Sequence, residues 1–79
     1  MDLDNQKIDD AVLGLLFLVT FKDRNTTRAW KGHDWDALDR LFHNGYIHDP
    51  KGKAKSVVLT EEGEARSREL FERFFTKKS

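Results

Sequence analysis

The run from Asp34 to Gly63 limits what this chain can fold into more than any other stretch. It reads as a capped short helix, a hairpin with a lysine-rich tip, and a second helix entered through Leu59-Thr60-Glu61-Glu62-Gly63. Asp34 is a good N-cap, because its carboxylate can accept first-turn amide protons. Asp36 adds negative charge beside the positive helix end. Trp35, Leu38, Leu41 and Phe42 recur at helical spacing and predict a buried stripe. Asn44-Gly45 then stops the helix: Gly45 can take the left-handed C′ conformation, and Tyr46 can fold back onto Leu41. The predicted helix runs from Trp35 to Asn44.

Tyr46-Ile47-His48 reads as a strand, and Asp49-Pro50-Lys51-Gly52 as a turn, with proline presetting φ and glycine free at positive φ. Lys55 to Leu59, rich in β-branched residues, is the returning strand. Lys51, Lys53 and Lys55 alternate, so in extended geometry they project from one face. Thr60 caps the last helix, with Glu61 and Glu62 in its first turn. Glu62–Arg66, Glu64–Arg68 and Glu69–Arg73 are spaced as i,i+4 pairs with the acid first. Ala65, Leu70, Phe71, Phe74 and Phe75 form its apolar side, and residues 76–79 read as a frayed tail.

Upstream, a first helix starts near Asp4 or Asn5, with Ile8, Ala11, Val12, Leu15, Leu16 and Val19 at helical spacing. Leu13, Phe17, Leu18 and Phe21 widen the stripe past one face, as in a helix that is central to the core or covered by a partner. Gly14, which costs roughly 1 kcal/mol against alanine inside a helix, predicts a close helix crossing. Between Asp23 and His33, Thr26 or Thr27 caps a short helical turn through Trp30, and Gly32 ends it. Trp30 and Trp35 are expected to close one end of the core.

The apolar stretch Ala11 to Phe21 is eleven residues long, against the ~20 that span a bilayer. Asp2, Asp4, Asp9 and Asp10 replace the basic start of a signal peptide, so the stretch reads as a core helix rather than a membrane segment. With 79 residues the chain makes one domain. A domain of this size buries only ~60% of its unfolded surface, so a dimer interface would be a natural supplement. The lack of cysteine excludes disulfides, thiol catalysis and cysteine-based zinc sites, and fits a cytoplasmic setting.

Helix, helical turn, capped helix, hairpin and closing helix together predict an α+β, mainly helical, winged helix-turn-helix-like domain. Leu38, Leu41 and Gly45-Tyr46-Ile47, followed by Leu59-Thr60-Glu61-Glu62-Gly63, resemble the MarR and PadR types of small bacterial regulator over residues 34–75. Such a resemblance implies a helix that enters the major groove and a hairpin wing that meets the backbone or minor groove. It also implies dimerisation through terminal helices. Four further segments extend the likeness to nearly the whole chain: Lys7 to Leu13, Arg28 to Gly32, Asp34 to Leu41, and Lys55 to Thr60. Together they resemble a small bacterial domain family of unknown function. That second resemblance implies a stand-alone bacterial domain and supplies no functional residues.

The net charge is zero, whereas DNA binders commonly carry a basic surplus that neutralises phosphate. The charge is unevenly spread. Residues 1–23 hold five aspartates and two lysines, a net −3. Arg24, Arg28 and Lys31 give +3, and residues 34–49, with four aspartates and Arg40, give −3. Lys51, Lys53 and Lys55 give +3, and the remainder balances. In the helix expected to read bases, Asp34, Asp36 and Asp39 repel phosphate, leaving Arg40, His43 and Asn44 as base readers. These lie toward the helix C-terminus, whereas N-terminal residues normally meet the bases. The wing lysines can contact phosphate or simply protect a strand edge from pairing. Arg24, Arg28 and Lys31 form a second contact if the fold brings them beside the wing.

His33, Asp34, Asp36, His43, His48 and Asp49 are ligand types without a metal-binding spacing. Ser56 and Ser67 have no evident base, and no glycine-rich phosphate loop is present, so no cofactor and no enzymatic activity are expected. Nine aromatic residues exceed what a small core can cover, and those on the first and last helices predict a homodimer. The leading expectation is a small regulatory module that binds double-stranded DNA. The alternative is a winged-helix protein-interaction or dimerisation module.

Overall fold

The computed structural model describes residues 1–77 and orders the chain as α1 (Asn5–Leu18), β1 (Thr20–Asp23), β2 (Thr26–Trp30), α2 (Trp35–His43), β3 (Ser56–Val58) and α3 (Glu61–Phe75). It is a small α+β domain in which three helices pack on an antiparallel sheet of order β1-β2-β3. Residues 78 and 79 of the expected tail lie outside the described residues; Thr76 and Lys77 are not helical. Among the described residues no helix is long and apolar enough to cross a membrane.

Residues 20–30 differ most from expectation. They form a hairpin, not the continuation of α1 followed by a helical turn. Thr20, Phe21, Thr26, Thr27 and Trp30 are β-branched or aromatic and suit a pleated, half-buried surface. The Arg24-Asn25 loop reverses the chain, with Arg24 in the left-handed region at φ 58°. Thr27 and Ala29 face the helices, whereas Trp30 is exposed and leaves the core to others.

The capping chemistry holds as read. Asp4, Asp34 and Thr60 each accept a first-turn amide, from Lys7, Ala37 and Gly63. Gly45 at φ 82° ends α2, with its own amide donating to Phe42 O and that of Tyr46 donating to Leu41 O. The returning strand finds a different main partner. β3 pairs with β2, and the 46–48 segment meets it only at the Ile47–Leu59 bridge and the His48 N–Val58 O bond. Of the expected acid-first pairs on α3, Glu69–Arg73 forms at 3.8 Å; Arg66 instead reaches Glu69, and Arg68 reaches Glu72.

The buried core is aliphatic: Val12, Leu13, Leu16, Leu38, Leu41, Ile47, Val57, Leu59 and Leu70, with Ala29 and Ala37. Trp30 and Trp35 are each more than half exposed, so they do not close it. Gly14 lets α1 cross α3 closely, since a Cβ there would meet Leu70 and Phe71 of α3 at 3.4 Å. The buried Ser67 hydroxyl locks the same crossing by donating to Leu13 O at 2.6 Å.

The tightest approach is at Gly63. A Cβ at this position would lie 1.7 Å from the Tyr46 carbonyl oxygen, which also accepts from the Thr60 amide at 3.0 Å. Gly63→Ala is therefore expected to destabilise the domain by about 3 kcal/mol or more, because backbone rather than a movable side chain fills the space. Gly32→Ala, with open space around it, should change stability by less than about 1 kcal/mol. Urea unfolding of the two variants checks the contrast, and equal effects would contradict it.

Candidate nucleic-acid interface

Strand alternation decides which side chains leave the sheet on its outer face. With Thr27, Ala29 and Val57 turned inward, Phe21, Arg28, Trp30, Ser56 and Val58 are turned outward. No helix needs to cover them, because the aliphatic core lies on the other face. Phe21 and Trp30 stack with ring centroids 4.8 Å apart. Arg28 lies across from Val58 and donates from Nε to Ser56 Oγ at 2.8 Å, which holds its guanidinium along the sheet.

The second basic segment is tied to this face. The Lys31 amide donates to Lys55 O at 3.0 Å, extending the β2–β3 pairing. Lys31 Nζ donates to Pro50 O at 2.6 Å and to Gly52 O at 3.4 Å. It also stands 5.3 Å from the Trp35 ring centroid. Asp49 braces the loop by accepting from the Lys51 amide at 2.9 Å. Lys51, Lys53 and Lys55 are exposed on a loop anchored at both ends. The structure thus brings Arg28, Lys31 and the three loop lysines together, with Arg24 at the β1–β2 turn of the same sheet.

It does not bring Arg40, His43 and Asn44 into that group. Arg40 donates from Nε and Nη2 to both carboxylate oxygens of the buried Asp9, at 2.8–3.0 Å. That carboxylate raises the proton affinity of the guanidinium further above its ordinary value. Arg40 therefore ties α2 to α1 and is not free to read a base. His43 is 3.5 Å from Asp39, and Asn44 is the C-cap of α2, its backbone amide donating to Arg40 O at 2.9 Å.

Two features of the site were not anticipated. One is the outward aromatic pair, signalled by the alternation of Thr27 and Ala29 with Arg28 and Trp30. The other lies between the inner sheet face and α3, where Glu64 accepts from the Thr27 hydroxyl at 2.9 Å and from Lys22 Nζ at 3.3 Å. No sequence pattern links Glu64 to residues 42 and 37 positions earlier. An open depression of about 330 Å³ sits beside this cluster and is also lined by His48 and Thr60. Among the described residues every buried polar side-chain atom has a partner, and no three metal-ligating acids or histidines converge.

Comparison with known proteins places the chain in a family. It belongs to the family described as "Domain of unknown function (DUF6429)", which matches residues 4–77. It is 54% identical over 77 residues to "Uncharacterized protein y4hR" of Sinorhizobium fredii (strain NBRC 101917 / NGR234), covering 98% of this chain and 100% of that protein. No solved structure matches the chain.

The Glu64 cluster makes a pH prediction. Its bond from Thr27, and then its contacts with Lys22, hold the Glu64 carboxyl below the usual glutamate range. A carboxyl with a depressed folded-state pKa adds stability above its unfolded value of about 4.3 and loses it as pH falls through the folded value. Thermal unfolding should therefore show wild type more stable than Glu64→Gln at pH 7, with the gap closing in acid. Because Glu64 is about half exposed, the gap should be small, on the order of 1 kcal/mol or less. A gap that widened on acidification would contradict the assignment.

Proposed function

We propose that this member of the DUF6429 family is a small, non-enzymatic nucleic-acid-binding module that meets phosphate with its sheet and loop rather than with α2. One observation carries the reading. Arg24, Arg28, Lys31, Lys51, Lys53 and Lys55, from two segments separated in sequence, share the outer sheet and its adjoining loop, where the acidic residues of those segments are Asp23 and Asp49. The remaining acids belong to the N-terminal segment, the helices and their caps. A chain of zero net charge thereby presents one basic surface, and phosphate responds to that local field rather than to the total.

The order α2, basic loop, β3, α3 supports a winged arrangement in which residues 48–55 act as the wing. The groove-reading role of α2 is not part of the proposal. Its one arginine is committed to Asp9, and Asp36 and Asp39 would face phosphate. A hairpin stands where a helix-turn-helix has its first helix.

A second reading, self-association through α1 and α3, is favoured by a separate observation. Leu15, Leu18, Phe74 and Phe75 are exposed on these two helices. A homodimer and phosphate binding on the sheet are compatible, since they use different faces.

Binding to a mixed-sequence DNA duplex should weaken as salt rises. Replacing Lys51, Lys53 and Lys55 by alanine should flatten the log–log salt slope by up to about 3, because each lysine releases roughly one counterion. No binding of duplex or single strand at low salt would remove the proposal, and an unchanged slope would remove the loop from it. Analytical ultracentrifugation should find a dimer that Leu18→Glu shifts toward monomer. A monomeric wild type at high concentration would remove the second reading.

A further inference from the structure

We infer that the outer sheet face is a stacking platform for unpaired bases, so that the preferred ligand is a single strand rather than a duplex. This rests on the nucleic-acid reading above and deepens it. Trp30 is 53% exposed although it is a large aromatic on a regular strand. Its ring is not loose, because Phe21 stacks against it and Ser56 lies opposite it in the ladder. A rigid, half-exposed indole supported from one side leaves the rest of its surface to a planar ligand.

Its surroundings select the class of that ligand. Arg28 lies two residues before Trp30 on the same face of β2, and Lys31 follows Trp30 directly. Lys31 also links Trp30's end of the strand to the loop of Lys51, Lys53 and Lys55 and to the second exposed indole, Trp35. Aromatic faces alternating with cations are what a single strand needs: bases stack on the rings while the backbone follows the positive charge. A duplex keeps its bases paired and cannot use Trp30 in this way. An apolar protein partner would gain from Trp30 but would have to desolvate Arg28 and the lysines beside it. DNA and RNA single strands share the base faces and phosphates that the surface reads.

The test compares a labelled single strand of about 15 nucleotides as DNA, the same sequence as RNA, and the corresponding DNA duplex. We expect both single strands to bind about tenfold or more tighter than the duplex, with DNA against RNA reporting any ribose contact. In a Trp35→Phe background, where Trp30 is the remaining tryptophan, single strands should quench its fluorescence. Trp30→Ala should weaken single-strand binding about tenfold, leave duplex binding within about twofold, and be largely rescued by Trp30→Phe. The exposure of Trp30 makes these variants foldable, and matching circular dichroism and melting curves would confirm it. Duplex and single strand bound equally, with Trp30→Ala silent, would overturn the stacking inference and leave phosphate binding standing. No binding of any strand at low salt would overturn both.

Discussion

The approach of Gly63 to the Tyr46 carbonyl fixes more of this domain than any other contact. It joins the exit of α2 to the entrance of α3 with no side chain between them. Two donors of Thr60 serve the corner: its amide and hydroxyl bond to Tyr46 O, and the hydroxyl also reaches Gly45 O at 2.7 Å. With the two chain ends held there, Ile47 must lie beside Leu59, and β3 is delivered to the edge of β2. The intervening residues have nowhere to go but outward, as the loop that carries the three lysines. A Cβ at residue 63 would push the corner apart and release the register of everything between residues 46 and 60.

The same geometry sorts the charges. Along the chain, acidic and basic blocks alternate; in space, the basic blocks meet on the sheet and loop while most carboxylates stay with the helices. Several of those carboxylates have structural duties. Asp4 and Asp34 cap helices, Asp9 binds Arg40 across α1 and α2, and Glu64 ties α3 to β2. Such uses hold negative charge away from the outer sheet face without any net surplus of lysine and arginine.

Local chemistry was legible in the sequence where one or two residues decide it. The caps at Asp34 and Thr60, the stop at Gly45 and the close crossing at Gly14 follow from side-chain size, φ and hydrogen-bonding capacity. The hairpin at 20–30 was not legible, because apolar residues continue from α1 into β1 without a break and no glycine marks the turn; Arg24 takes the left-handed position instead. Site residues divided in the same way. The loop lysines were visible as a local run. The loss of Arg40 to Asp9 and the pairing of Glu64 with Thr27 depend on partners dozens of residues away, which only packing brings together. Trp30 and Trp35 were expected to close the core because of their type, yet leucine, valine, isoleucine and alanine form it, with Phe42 and Tyr46 packed against it and both indoles exposed.

The central claim is that the fold turns a chain of zero net charge into one with a basic, aromatic face, and that nucleic acid meets this face and not α2. Backbone amide chemical shifts during titration with a short single strand at low salt test it residue by residue. The account predicts shifts at Phe21, Arg28, Trp30 and through the loop from Lys51 to Lys55, with Asp36 to His43 unmoved. Shifts concentrated on α2, or none anywhere, would contradict it.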